Sequence, residues 1–267
     1  MPTYWAETRR LIAQSRIYGP FTRRLLEEAG LRAGMRVLDV GTGAGDVALM
    51  AAELIGPRGS VVGVDHNPKV LKMAHARARA AGLTNVTFLE GTIDTATPDE
   101  DFDAVMGRLI LMYQPDPAKM LRELTQRVRS GGIVAFQEFN LTRTAAVVAY
   151  PPTPLWKRVA GWLLAVAESA GVETEMGYKL FRTYLDAGLP VPKMEVYSPA
   201  GGGPDWQGYE YLAETLRSMM PFLLKFGIAS EEEVDIDTLD ERLRTETVAS
   251  GAVVRPPELV SAWVLKP

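Results

Sequence analysis

The sequence contains no cysteine and only two histidines, His66 and His75, among its 267 residues. The absence of cysteine excludes disulfide bonds and thiolate metal sites, and two histidines are too few for a typical zinc site. No apolar run approaches the roughly 18 residues that a membrane span requires. We therefore expect neither a metal nor a membrane span.

The chain also lacks an excess of positive charge. Its formal net charge is −4 and its pI is near 5.4, which disfavours the basic surface typical of nucleic-acid binders. The first ten residues contain no apolar segment of the kind found in secretion signals. From these features we expect a cytoplasmic protein with no nucleic-acid partner.

The chain does contain enough apolar residues for a full core, since 47% of its residues are hydrophobic and 23% are charged. Its length favours one large α/β domain with an appendage. The most informative stretch is residues 36–65, which predict a strand, a glycine loop, a helix and a second strand. The first strand, residues 36–40, contains Asp39, and the second is followed by Asp65.

The loop Gly41-Thr42-Gly43-Ala44-Gly45 indicates a nucleoside site. Glycines leave no Cβ between the end of the strand and a ligand. A carboxylate at Asp65 can accept hydrogen bonds from both ribose hydroxyls. In the alternative interpretation, the glycines only make a tight turn and Asp65 only caps the next helix.

Asp46 helps to identify the nucleoside. The dinucleotide fingerprint G-x-G-x-x-G requires glycine at this position, and a carboxylate there disfavours a pyrophosphate. An NAD-dependent oxidoreductase, which would also need a Tyr-x-x-x-Lys motif that is absent, is therefore disfavoured. A ligand that carries positive charge is favoured.

Two motifs resemble those of the class I S-adenosylmethionine methyltransferases. VLDVGTGAGD is similar to the first motif of that family and VVGVDHNPKVL to the next. The resemblance covers residues 30–140 well and the last two strands loosely, and it is to the small-molecule type that includes the ubiquinone/menaquinone-biosynthesis methyltransferases. It implies a Rossmann-like, doubly wound α/β sheet of seven strands, mostly parallel with an antiparallel last strand, plus helical lid insertions.

The resemblance also implies a function. S-adenosylmethionine would be the cofactor and S-adenosylhomocysteine its product, and the methyl group would pass by in-line displacement to a small, largely apolar acceptor. A non-catalytic or repurposed S-adenosylmethionine binder is the alternative. The acceptor, the methylated atom and the formation of a homodimer stay open.

Individual cofactor contacts follow from the same resemblance. Thr92 stands where the family commonly has an aspartate that bonds adenine, Arg108 follows the fourth strand, and Tyr18 would lie near the methionine end. Packing of Tyr18 between helices, with Arg16 in solvent, is the alternative. The implied cofactor-binding residues are Tyr18, Gly41, Thr42, Gly43, Gly45, Asp65, His66, Thr92, Ile93 and Arg108.

No Ser-His-Asp set or Cys-x-x-Cys motif indicates a catalytic residue. Glu138 follows the predicted fifth strand, residues 133–136, and is the one candidate for a general base. The favoured alternative for Glu138 is a salt bridge on the surface or in a lid.

Breaks in the pattern predict the domain organisation. We expect an N-terminal helical cap over residues 1–30 with a break at Gly19-Pro20, a cofactor-binding core over 31–141, and a helical lid over 142–190. The final core strands lie in 191–267, around a second helical insertion at about 201–250. The aromatic and Met residues of that insertion, from Trp206 to Phe226, predict either ordinary core or part of a substrate lid.

Overall fold

A computed structural model describes residues 4–92, 101–142 and 149–267. Its strands are β1 (Arg36–Val40), β2 (Ser60–Asp65), β3 (Val86–Glu90), β4 (Phe102–Arg108), β5 (Val128–Asn140), β6 (Ala149–Tyr150), β7 (Lys193–Tyr197), β8 (Val253–Val254) and β9 (Glu258–Leu265). Within the described residues, seven of them form one sheet in the order β3-β2-β1-β4-β5-β9-β7, while β6 pairs with β8.

The main sheet is mostly parallel. β1 pairs in parallel with β2 and β4, β2 with β3, and β4 with β5. One strand is antiparallel. Four of the five residues of β1 are buried in succession, which is typical of a strand covered on both faces. The predicted fold class is confirmed.

Nine helices accompany the strands in the described residues. They are α1 (Tyr4–Glu28), α2 (Asp46–Ile55), α3 (Pro68–Ala80), α4 (Pro117–Gln126), α5 (Pro154–Ser169), α6 (Met176–Asp186), α7 (Gly208–Lys225), α8 (Glu231–Val234) and α9 (Leu239–Ser250), with a 3-10 turn at Leu111–Tyr113. Asn67 and Asp116 cap α3 and α4, each followed by a proline at the first helical position. Of these helices, none is long and apolar enough to cross a membrane.

Two local predictions were wrong. Helix α1 runs through Gly19 and Pro20 without the predicted break. Strand β5 is longer than predicted, so Gln137 and Glu138 lie within it rather than after it. The strand continues because β4 extends to Arg108, which pairs in register with Gln137.

The chain divides into two compact units. The sheet unit comprises Pro20–Glu138, Met176–Val196 and Val260–Pro267. The helical unit comprises Met1–Gly19, Phe139–Glu175 and Tyr197–Leu259.

Helix α6 belongs to the sheet unit, although the sequence placed residues 142–190 in one lid insertion. The buried hydroxyl of Tyr184 connects α6 to the sheet, because it donates to the carbonyl oxygen of Ala262 at 2.7 Å and lies 3.3 Å from that of Val134. A lid role for the remaining insertions stays a prediction.

Candidate functional site

The glycine loop joins β1 to α2 at the carboxyl end of the parallel strands. Its backbone is held by hydrogen bonds from Thr42 N to Val64 O at 3.0 Å and from Gly45 N to Thr42 O at 2.9 Å. Gly43 has φ of 55°, and a Cβ added to it would meet only the Gly41 carbonyl oxygen, at 4.0 Å. The space beside Gly43 is therefore open to a ligand.

Gly41 has a different reason to be glycine. A Cβ at this position would lie 2.7 Å from Cδ1 of Ile110, which is too close for an unstrained contact. Gly41 thus permits close packing of the loop against the turn that follows β4.

Asp65 is bonded to the loop and to the start of the next helix. Its Oδ2 accepts a hydrogen bond from Gly43 N and its Oδ1 accepts one from Asn67 N, both at 2.9 Å. The side chain is 11% exposed. Since a carboxylate has about four acceptor positions, Asp65 can hold this backbone and still accept from the hydroxyls of a ligand.

Asp39 and Thr42 fix the first half of the loop. Thr42 Oγ1 donates to Asp39 Oδ2 at 2.6 Å. Burial raises the pKa of Asp39 to about 7, and the Thr42 hydroxyl and the Arg108 guanidinium act in the opposite direction. The Thr42 hydroxyl is thus used inside the protein, and a cofactor contact by Thr42 stays a prediction.

Asp46, at the start of α2, is nearly buried between two guanidinium groups. Its Oδ1 lies 2.6 Å from Nη2 of Arg77, and its Oδ2 lies 3.1 Å from Nη2 of Arg108. Asp46 therefore does not present a free negative charge to a ligand, contrary to the argument from sequence. Arg77 also donates to the Ala44 carbonyl oxygen at 2.8 Å and so holds the loop from α3. Sequence reasoning missed Arg77, which resembles any exposed arginine of an amphipathic helix.

Arg108 continues the polar chain into the sheet. Its Nη1 donates to Thr22 Oγ1 at 3.1 Å, and that hydroxyl donates to Gln137 Oε1 at 2.7 Å. Gln137 Nε2 in turn donates to Ser261 Oγ at 2.9 Å. The side chain of Arg108 is committed to these contacts, and the implied contact of Arg108 with a cofactor stays a prediction.

Glu138 is fully buried, so the surface or lid salt bridge favoured for it is wrong. Its Oε1 accepts from the backbone N–H groups of Ile110 at 3.0 Å and Leu111 at 2.7 Å, and its Oε2 accepts from that of Met112 at 3.3 Å. Burial raises the pKa of Glu138 to about 7, against the opposing effect of these N–H groups. The carboxylate is thus bonded to the backbone of residues 110–112, and a general-base role for Glu138 stays a prediction.

The other implied cofactor residues occupy varied positions. The side chain of His66 is 85% exposed, with Nδ1 3.7 Å from Asp65 Oδ1. Thr92 is exposed just beyond β3, and Ile93 lies outside the described residues. Contacts of these three residues with a cofactor stay predictions.

Tyr18 belongs to the helical unit and is fully buried there. Its hydroxyl donates to the Pro257 carbonyl oxygen at 2.8 Å, and its ring packs edge-to-face against Phe139 and Tyr211. Burial, followed by the influence of Tyr211, raises its pKa well above the ordinary value. Arg16 pairs with Glu210 at 2.9 Å. A cofactor contact by Tyr18 stays a prediction.

The helical unit contains a small apolar cleft with a volume of about 20 Å³. Of the described residues that line this cleft, Arg255 alone is charged. The lining consists of Leu141, Trp156, Ala160, Leu163, Leu164, Leu212, Arg255, Pro256 and Pro257. Among the described residues, no group of three or more His, Asp or Glu side chains could hold a metal.

Comparison with known proteins identifies the family. Residues 31–170, which are more than half of the chain, match the family described as methyltransferase domain. This chain belongs to that methyltransferase family. The match includes the glycine loop, Asp65 and Glu138, and it confirms the resemblance stated from the two sequence motifs.

Two relatives of this methyltransferase-domain chain are named for small molecules. Aklanonic acid methyltransferase DauC from Streptomyces sp. strain C5 is 33% identical over 141 residues, which cover 52% of this chain and 64% of the relative. A demethylmenaquinone methyltransferase from Listeria welshimeri is 33% identical over 130 residues, or 48% of this chain and 51% of the relative. The chain thus spans about half to two thirds of the length of these relatives.

The solved structure of the YcgJ protein from Bacillus subtilis shares the fold. It matches with a TM-score of 0.57 over 92% of this chain and 99% of YcgJ, at 17% sequence identity. At this identity the match concerns the fold alone.

Proposed function

We propose that this methyltransferase-domain chain binds S-adenosylmethionine at the glycine loop and transfers its methyl group to a small, largely apolar acceptor. The observation that carries the proposal is the bond from Gly43 N to Asp65. Because of it, the carboxylate of Asp65, which can accept further hydrogen bonds, lies beside an open glycine loop at the carboxyl end of a parallel sheet. Family membership favours this function over an NAD-dependent oxidoreductase.

The residues of the loop fit the proposed cofactor. Gly43 leaves open space for a flat nucleoside, and Asp65 retains acceptor capacity for two ribose hydroxyls. The same carboxylate would repel a 2′-phosphate. In this proposal Gly41 and Gly45 shape the loop, Thr92 and Ile93 lie by the adenine, and Tyr18 and Arg108 lie by the methionine end.

When bound, S-adenosylmethionine supplies a methyl group that its sulfonium has already activated. The protein then needs chiefly to hold and align the reactants and to exclude water. Buried bonds support this alignment, because Asp39 fixes Thr42 and Arg77 fixes Ala44. We propose no catalytic residue, because Glu138 is buried and bonded to backbone.

The acceptor class is supported by the two relatives, whose names contain aklanonic acid and demethylmenaquinone. These two compounds are therefore suitable first probes.

Calorimetric titration with S-adenosylhomocysteine and with NAD tests the cofactor. We expect saturable binding of S-adenosylhomocysteine and none of NAD, and the reverse result would contradict the proposal. The two probe acceptors and a panel of hydroxylated aromatic compounds are then incubated with S-adenosylmethionine, and S-adenosylhomocysteine release is measured. Tight cofactor binding without release across the panel would favour the non-catalytic binder.

A further inference from the structure

The carboxylate of Glu138 binds one short segment at three successive points. The N–H groups of Ile110, Leu111 and Met112 all donate to it, over 2.7 to 3.3 Å. Ile110 is the N-cap of the 3-10 turn Leu111–Tyr113, and Leu111 and Met112 are its first two residues. One buried side chain thus supplies the acceptors that the start of this turn would otherwise lack.

The backbone just before this turn has an unusual conformation. Leu109 has φ of 59°, in the left-handed region that leucine rarely adopts. Its N–H donates to the carbonyl oxygen of Gln137 at 2.8 Å, so β5 supports the turn through two consecutive residues, Gln137 and Glu138. A strained conformation persists only where surrounding contacts determine it, and these bonds to β5 are such contacts.

The turn is in close contact with the glycine loop. Cδ1 of Ile110 lies 2.7 Å from where a Cβ of Gly41 would be, and its Cγ2 lies 2.9 Å from the corresponding point at Gly107. Val40 and Gly107 are partners in the parallel pairing of β1 with β4. Ile110 therefore packs over the ends of both strands, and its own N–H donates to Glu138.

We propose that Glu138 is a positioning residue of the methyl-donor site. By holding the N–H groups of residues 110–112, it fixes Ile110 against Gly41 and so sets the shape of the first half of the glycine loop. The carboxylate acts through the turn and touches neither the donor nor the acceptor. This assignment rests on the proposed function, since it concerns the same cofactor site.

Substitution of Glu138 tests the assignment with two variants. Glu138→Ala removes all three acceptor contacts, whereas Glu138→Gln keeps one oxygen that can accept from Ile110 and Leu111. We expect the dissociation constant for S-adenosylhomocysteine to rise about thirtyfold in the first variant and about threefold in the second. Hydrogen exchange of residues 109–114 should accelerate in the same order, with or without ligand.

Asp103 provides the matched control. Its carboxylate accepts from the N–H of Arg36 at 2.7 Å and pairs with Arg129 at 2.6 Å, at the amino end of β4. Asp103→Ala therefore also removes a side-chain acceptor of a backbone N–H in this sheet, whereas Asp103→Asn keeps one oxygen that can accept, and both changes lie far along β4 from the turn. We expect both control variants to bind S-adenosylhomocysteine like the wild type, even where their melting temperatures fall.

The outcomes separate this assignment from the proposed function. A wild type that does not bind S-adenosylhomocysteine would overturn both. A wild type that binds, together with Glu138 variants whose exchange is accelerated but whose affinity is unchanged, would overturn the assignment alone. Equal losses of affinity in the Asp103 and Glu138 variants would do the same, since they would indicate a general loss of stability. Should Glu138→Ala fail to fold, Glu138→Gln decides between these results.

Discussion

The two units of the chain use different buried interactions. The sheet unit has a buried chain of directional bonds, in which Asp46, Arg108 and Gln137 are each bonded to a partner on another element. The helical unit has an aromatic cluster, in which the rings of Trp156, Trp206 and Tyr209 lie with centroids 5.2 to 6.3 Å apart.

The difference concerns precision. A buried polar group must meet its partner at a fixed distance and angle, whereas apolar contacts are non-directional and tolerate changes of shape. Polar bonds therefore suit a site that must hold one fixed geometry, and an aromatic interior does not require one. Four predictions test this contrast, from the largest expected effect to the smallest.

Gly43→Val should abolish cofactor binding. Valine is strained at φ of 55°, and its branched Cβ would fill the open space beside the loop. Calorimetry should detect no binding of S-adenosylhomocysteine, while circular dichroism shows a folded chain. Gly161→Ala, in the exposed part of α5 with no atom within 4 Å of the new Cβ, is the control and should bind normally. If the folded Gly43→Val variant still bound S-adenosylhomocysteine, the glycine loop would not be part of the cofactor site.

Trp156→Ala should destabilise the helical unit by about 3–5 kcal/mol, because it leaves a cavity in a buried aromatic cluster. Hydrogen exchange should accelerate in peptides from α5, α7 and α9 and stay unchanged in β1 and β2. Leu224→Ala, at a site that is 43% exposed, should have little effect. If exchange accelerated equally in both units, the two would unfold as one, and the predicted difference between them would be wrong.

Stability should depend on pH through the buried carboxyls of the sheet unit. Burial raises the pKa of Glu138 from 4.5, and that of Asp39 from 3.8, to about 7. The stabilising effect of these raised values is complete below the ordinary pKa and is lost as the pH rises through about 7. Glu138 alone should lower the free energy of unfolding by on the order of 3 kcal/mol between pH 4.5 and 8. Urea titrations of Glu138→Gln should show a smaller decrease than the wild type, and identical pH profiles would contradict the prediction.

Asp65→Ala should weaken S-adenosylhomocysteine binding by about 2 kcal/mol, because it removes the acceptor for Gly43 N and the proposed charge-assisted bonds to ribose. Titration calorimetry measures the change. Asp116→Ala removes a carboxylate that only caps α4, and it should leave the affinity unchanged. An unchanged dissociation constant for Asp65→Ala would mean that Asp65 only caps a helix, as Asp116 does.

Local sequence patterns predicted the strand, loop, helix and strand of residues 36–65, because glycine spacing and apolar runs act over a few neighbouring residues. They also placed Asp65 beside the loop, where its bond to Gly43 now lies. Patterns did not predict the continuity of α1, since a proline inside a helix normally signals a break.

The sequence by itself determined the fold class, the family and the glycine loop, since motif and periodicity are properties of consecutive residues. Only the tertiary structure decided what the buried charges do. Arg108 and Asp46 are 62 residues apart in the chain, and Glu138 and Ile110 are 28 apart. A charged residue has the same appearance in a sequence whether it faces solvent or a partner. Its burial, its partner and its pKa arise only when the sheet brings distant strands together.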